Sequence, residues 1–225
     1  MTRPNALHFL KLAGFGCLVG AWAAPGVAQE ESFYYAGVSL GQSRARIDDE
    51  RITANLLRAG LTTTSMSRDE HDTAYKVFGG YQFNRSLALE GGYFDLGKFG
   101  YSSTTVPAGT VNGQIKVQGL NLDVVGTWPL TPRVSALGRL GAQYADVRVN
   151  FRGDGAAVVT DPNPSKRSLG YKFGVGLQFE ISPSVLLRAE GERHRIDDAV
   201  GNHGDVDLFS VSLLFPIGRS PRTVP

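Results

Sequence analysis

From residue 33 onward, apolar and polar positions alternate with a period of two in one short run after another. The run YKFGVGLQF at 171–179 is the plainest. Tyr171, Phe173, Val175, Leu177 and Phe179 fall on one side, and Lys172, Gly174, Gly176 and Gln178 on the other. Successive side chains of a β-strand point to opposite faces, so each run reads as a strand with one apolar and one polar face. Eight strands are predicted, over 33–42, 73–83, 86–96, 114–128, 134–144, 171–181, 185–193 and 206–215. The connections between them alternate long and short. The long ones span 44–72, 97–113, 146–167 and 194–205, with a short helix expected at 49–59 in the first. The short ones are the tight turns near 84–85, 129–133 and 182–184.

An even number of strands, each about 9–11 residues and joined by alternating long loops and tight turns, predicts an all-β fold. Specifically, it predicts an eight-stranded antiparallel up-and-down transmembrane β-barrel, with short periplasmic turns and four long extracellular loops. The period alone does not say which face meets the surroundings: a soluble barrel turns its apolar face inward, a membrane barrel outward. Three features favour the membrane. Glycines (Gly37, Gly41, Gly80, Gly92, Gly174, Gly176) sit on the polar face beside long charged side chains, as a crowded lumen requires. Aromatics such as Tyr75, Tyr81, Tyr93, Trp128, Tyr144 and Phe179 gather near strand ends on the apolar face, as interfacial girdles do. The apolar face is also nearly free of charge.

With that orientation, Lys76, Glu90, Asp123, Arg139, Lys172, Glu180, Arg188, Glu190 and Glu192 point into the lumen. Unpaired charges there are costly, and four bases with five acids can nearly neutralise one another. Two readings stay open: a static network that fills the barrel, or a gate whose pairs exchange to open a narrow solute path. An eight-stranded interior is just wide enough for side chains, so a large open pore is not expected.

The start of the chain reads differently. Residues 1–28 have a basic beginning (Arg3, Lys11), an apolar stretch over 12–24 and small residues at Gly26-Val27-Ala28. This is the pattern of a cleaved secretory signal, with the barrel over 29–215 and a short tail over 216–225. Cys17 is the only cysteine and lies in that signal behind a poor lipobox, so neither a disulfide framework nor thiol chemistry is expected. Removing the signal takes Arg3 and Lys11 and leaves 21 basic against 21 acidic residues. A neutral mature chain gives no reason to expect a nucleic-acid partner.

The hairpin YKVFGGYQFNRSLALEGGY at 75–93 resembles the eight-stranded outer-membrane protein A (OmpA)-like barrels of Gram-negative bacteria. YYAGVSLG at 34–41 resembles that family's opening strand, 134–144 its fifth strand, and 205–215 its closing strand. The resemblance implies location in the outer membrane, amid its lipid and lipopolysaccharide. It also implies that Arg139 and Glu90 are lumenal partners, and that Phe215 is the aromatic offered to the barrel-assembly machinery. The ten residues after Phe215 are too few for the peptidoglycan-binding domain that many relatives carry.

Other chemistry is poorly supported. His71, His194 and His203 all fall in or at the edge of predicted loops. His194 is followed by Arg-Ile-Asp rather than the His-x-Ser expected of a rim enzyme acting on lipid A. Asp48-Asp49-Glu50 and Asp197-Asp198 lack the spacing of a calcium loop, and Gly153-Asp154-Gly155 is too short for a phosphate loop. No catalytic residue, metal site or cofactor is therefore expected. The leading expectation is a structural protein that supports envelope integrity and offers its outer loops, 44–72 and 146–167 above all, to host or cell-surface ligands in the manner of an adhesin. A narrow low-conductance porin is the alternative, and a rim enzyme the remote one.

Overall fold

A computed structural model describes residues 32–45, 49–58, 60–155, 162–197 and 203–219. The expected signal peptide and residues 220–225 lie outside it. Nine strands and one helix follow in chain order: β1 (Phe33–Ala45), α1 (Asp49–Arg58), β2 (Thr62–Asp69), β3 (His71–Asn84), β4 (Leu87–Val106), β5 (Gly109–Pro129), β6 (Val134–Gly155), β7 (Ser165–Ser182), β8 (Val185–Asp197) and β9 (His203–Ile217). Each of β3 to β8 pairs antiparallel with the next, and β1 joins β9 to β3, so the ring closes. Closure leaves no exposed edge at membrane depth, where unpaired backbone groups cost several kcal/mol each. Among the described residues no helix is long and apolar enough to cross a membrane; the strands do so.

β2 is the upward continuation of β3. Both run antiparallel to β4, β3 against Leu87–Asp95 and β2 against Gly100–Val106. The break between them faces a bulge in β4 at Gly97, whose φ of 86° suits glycine. Asp72 fills the gap and accepts the Lys98 N–H at 2.6 Å. The ring therefore has eight staves, as the sequence predicts, with the first loop contributing an extra length of strand.

The outer connections are the main departure from expectation. The loop expected over 97–113 is instead a continuous hairpin, since β4 and β5 stay paired up to a tight turn at Pro107-Ala108. Likewise β6 runs to Gly155, β7 begins at Ser165, and β8 and β9 extend to Asp197 and from His203. The helix is present at the expected place. It ends in a Schellman motif: Leu61 N–H reaches Leu56 C=O and Gly60 N–H reaches Leu57 C=O, both at 2.9 Å, with Gly60 at φ 79°. Leu61 then packs on Leu56, Val111 and Tyr101, fixing the helix against the hairpin.

The last strand also runs further than expected. Pro216 and Ile217, expected in the tail, pair with Tyr35 and Tyr34 of β1, so Phe215 lies two residues inside the end of β9.

Around the ring the outward face carries a continuous apolar band. Val38, Leu40, Val77, Leu120, Leu122, Val124, Leu140, Phe173, Val175, Leu177, Phe209 and Val211 are all exposed on it. The band ends in aromatics. At the end bearing the tight turns, Tyr34 lies 4.7 Å from Tyr81 and Tyr81 5.0 Å from Phe83, ring to ring. At the other end Tyr75 lies 6.2 Å from Tyr93. From Tyr171 to Phe179 is eight steps, roughly 26 Å along a strand at ~3.3 Å per residue, which suits a tilted crossing of a bilayer core. An apolar surface of this extent is a lipid-facing surface.

Above the upper aromatics the alternation continues with its sign reversed. On β6 the outward positions change from Leu140 and Tyr144 to Asp146, Arg148 and Asn150, while the inward ones change from Arg139 and Gln143 to Ala145, Val147 and Val149. On β5 the outward side changes from Leu122 and Leu120 to Gln118, Lys116 and Gln114, and on β9 from Phe209 to Asp207. The staves thus leave lipid and continue into water as a barrel of the soluble kind, with its own apolar interior.

Candidate functional site

The lumen is layered. At mid-depth Lys76, Glu90, Asp123, Arg139, Lys172, Arg188, Glu190 and Glu192 are all buried on the inner wall, one from each of β3 to β7 and three from β8. They sit there because the polar phase of each strand's alternation faces inward through the apolar band. Glycines opposite make the room. A Cβ on Gly141 would strike the Asp123 carboxylate, and one on Gly174 or Gly176 would come 2.9 Å from the Glu192 or Glu190 Cγ.

Arg139 is the hub. Its Nη2 lies 2.9 Å from Glu90 Oε2 and 2.6 Å from Glu190 Oε1, and its Nη1 lies 2.9 Å from Asp123 Oδ2. Arg188 Nη1 reaches the other Glu90 oxygen at 2.5 Å, where Tyr35 OH also donates at 2.7 Å. Lys172 bridges Asp123 and Glu192, both at 2.8 Å, and Lys76 pairs with Glu192. Four cations thus meet four carboxylates. The ninth expected member, Glu180, is not among them. It lies near the periplasmic end of β7, half-buried, and pairs with Arg219 at 2.8 Å. Its departure leaves the inner cluster electrically neutral. Pairing of this kind is what makes buried charge tolerable, since desolvation otherwise outweighs the Coulombic gain.

One residue of this site, His194, escapes a sequence reading that treats the end of β8 as loop. His194 is fully buried on the inner wall, with Nδ1 2.7 Å from Gln143 Oε1 and its ring 5.2 Å from that of Phe94. Its signal is register: it lies two residues after Glu192 and four after Glu190, so it shares their face. His71 opens β3 with its side chain exposed, and His203 opens β9.

Apolar layers close the charged one from both sides. Toward the periplasm lie Tyr35, Phe78, Ala88, Val125, Leu137, Leu186 and Leu214. Outward lie Phe94, Leu96, Phe99, Val117, Val147, Ile196 and Leu208 with their neighbours. The Phe78 ring sits 5.9 Å from both the Lys76 ammonium and the Arg188 guanidinium, stacking lower layer on charge layer. Among the described residues no group of three His, Cys, Asp or Glu is placed to hold a metal ion.

This wall, with its inward charges and outward lipid belt, matches a known family by sequence. The family model for the OmpA-like transmembrane domain matches residues 28–211. The chain belongs to that family. Outer membrane protein A of Salmonella typhi is 28% identical over 224 residues, covering 97% of this chain and 56% of the relative, so the chain spans a little over half the length of the curated relatives it matches. Among solved structures, Neisserial surface protein A (NspA) is similar in fold, with a TM-score of 0.53 and 11% identity over 83% of this chain and 99% of that one. Ail, the attachment invasion locus protein of Yersinia pestis, solved with a heparin analogue, has a TM-score of 0.46 and 16% identity over 82% of this chain and 99% of that one. This OmpA-like chain is an integral protein of the Gram-negative outer membrane, with lipid around the apolar band.

Proposed function

We propose that this OmpA-like protein is a closed structural barrel that supports the envelope and carries a rigid protein surface outward for contact with other cells or host molecules. One observation carries this reading: the staves continue past the lipid belt as a paired sheet with an apolar interior of its own. Such a surface is already ordered, so a partner binds without the entropic cost of ordering loops. Of the contact regions expected at 44–72 and 146–167, the described residues include α1, β2 and the outer ends of β6 and β7. The test is adhesion of cells expressing the protein to immobilised host matrix. Replacing the segment between Lys98 and Lys116 by a two-residue turn is expected to abolish it without changing the amount of heat-modifiable barrel. Adhesion unchanged by that replacement would refute the surface-contact role.

A narrow conductance path remains a second reading, favoured by Arg139. Its guanidinium lies within 4 Å of four different carboxylates, the farthest being Glu192 at 3.9 Å, so pairs can exchange with little motion. For that reading the apolar layers above and below must also part. Arg139→Ala is expected to alter single-channel conductance in planar bilayers if the gate exists. Near-zero conductance of both proteins would end this second reading. A non-catalytic role is supported by the place of His194, enclosed in the lumen between Gln143 and Phe94 rather than presented at the rim. Recognition of Phe215 by the barrel-assembly machinery is part of the proposal and is tested by the folding yield of Phe215→Ala in cells.

A further inference from the structure

Just above the lipid belt, on the outward wall of β4, β5 and β6, three cations stand in one cross-strand row. Lys98 pairs in register with Lys116, and Lys116 with Arg148. Like charges directly opposite one another on a sheet face are destabilising, so nothing in the protein alone rewards this row. Local acids neutralise it only in part. Lys116 reaches Asp95 at 3.1 Å and Arg148 reaches Asp146 at 3.0 Å, but Asp146 is shared with Arg167 at 3.8 Å. The Lys98 ammonium has no side-chain partner among the described residues. The Asp72 carboxylate is taken up by the Lys98 backbone N–H at 2.6 Å, so four cations here meet three carboxylates on the outward side.

The opposite flank, just above the belt, is built differently. There Arg193 pairs in register with Asp207, and Asp207 with Arg44, so the signs alternate across β8, β9 and β1. Arg193 grips Asp207 with two hydrogen bonds of 2.6 and 2.8 Å, and Arg195 lies 3.6 Å from Asp205. One side of the barrel neutralises itself; the other keeps a positive surplus.

Height says what meets that surplus. The register places Tyr93, Leu120, Tyr144 and Leu169 in one row, Gln118, Asp146 and Arg167 in the next, and Lys98, Lys116 and Arg148 in the third. Leu169 is 76% exposed and ends the apolar belt on that side. Four residues separate Leu120 from Lys116, about 13 Å along a strand, which is headgroup level above a hydrocarbon edge. Flexible basic stems there also reach down toward the interface.

We propose that the β4–β5–β6 flank is a docking site for the phosphorylated glycolipid headgroup of the outer leaflet, with Lys98, Lys116 and Arg148 as the phosphate-binding row. Bound phosphate cancels the repulsion within the row and ties the sheet to the leaflet. The site needs only the membrane-embedded barrel, so it stands or falls independently of the surface-contact role.

Native mass spectrometry of the detergent-solubilised protein titrated with lipid A tests it. The wild-type protein is expected to bind lipid A about tenfold more tightly than phosphatase-treated lipid A. K98Q/K116Q/R148Q is expected to lose about that factor, and R195Q, on the self-neutralised flank, none. An unboiled gel shift confirms that each variant is folded. Should the triple variant not fold, the wild-type comparison of the two lipids decides alone. Equal affinity for both lipids, or undiminished binding by the folded triple variant, would overturn the proposal. So would a preference of the row for soluble sucrose octasulfate over lipid A.

Discussion

Glu90 is the residue on which the inner network turns. Its two oxygens take Arg139, Arg188 and the Tyr35 hydroxyl at 2.9, 2.5 and 2.7 Å, and it is 1% exposed. Removing it takes from Arg188 the carboxylate it pairs with and from Arg139 one of four, and leaves the buried cluster with one uncompensated positive charge. Stranding one partner of a buried pair typically costs about 3–5 kcal/mol. Glu90→Ala is therefore expected to lower unfolding stability by about that amount. Glu180→Ala, which frees only Arg219 near the periplasmic mouth, is expected to cost about 1 kcal/mol or less, as for pairs in contact with water. Urea unfolding of both variants in phospholipid vesicles, followed by tryptophan fluorescence, checks the difference. Equal losses would mean that the network is not the buried, interdependent cluster its distances describe.

At the scale of the strand, period and sign carry different information. The period of two, legible in the sequence from residue 33 to 215, located every stave and the eight charges of the inner cluster, with Glu180 on the same face of β7 but nearer its periplasmic end. The sign was legible only inside the lipid belt. Past Tyr144 the same period runs on through Val147 and Val149, but these apolar residues face inward and their neighbours Asp146 and Arg148 outward. A reading tuned to apolar residues on the outer face takes such a stretch for a polar loop. The outer hairpin and the burial of His194 escape the sequence for this reason, whereas β2 (TTTSMSRD) escapes it because it is polar on both faces. The reversal itself marks the membrane boundary, and it makes a prediction along a single strand. Leu122 and Gln114 of β5 both face outward, on opposite sides of the reversal. Leu122→Arg is expected to destabilise the barrel in vesicles by about 2–4 kcal/mol, and Gln114→Arg by less than about 1 kcal/mol. Similar costs at the two positions would put the boundary elsewhere.

For the whole molecule, the closed ring, the two aromatic girdles and the reversal of sign fix one orientation in the membrane. The tight turns at 85–86, 130–133 and 183–184 lie at one end, and the extended hairpins at the other. Only the hairpin end carries the polar outer wall suited to the cell exterior, and only the other end can leave its short turns in the periplasm. The sequence offers a direct way to see this, because Cys17, inside the expected signal peptide, is its only cysteine. A cysteine introduced elsewhere thus reports its own surroundings, with the parent protein as the blank. Gln114→Cys, on the outer wall of β5, is expected to react with a membrane-impermeant maleimide on intact cells. Ser184→Cys, in the turn between β7 and β8, is expected to react only after the outer membrane is permeabilised. Leu122→Cys, inside the lipid belt, is expected to stay unlabelled in both conditions until detergent is added, since a thiol held in hydrocarbon neither ionises nor meets the reagent. Labelling of Ser184→Cys on intact cells would invert the barrel, and prompt labelling of Leu122→Cys would mean that the apolar band does not face lipid. The three positions together separate an inverted barrel from one that never entered the membrane.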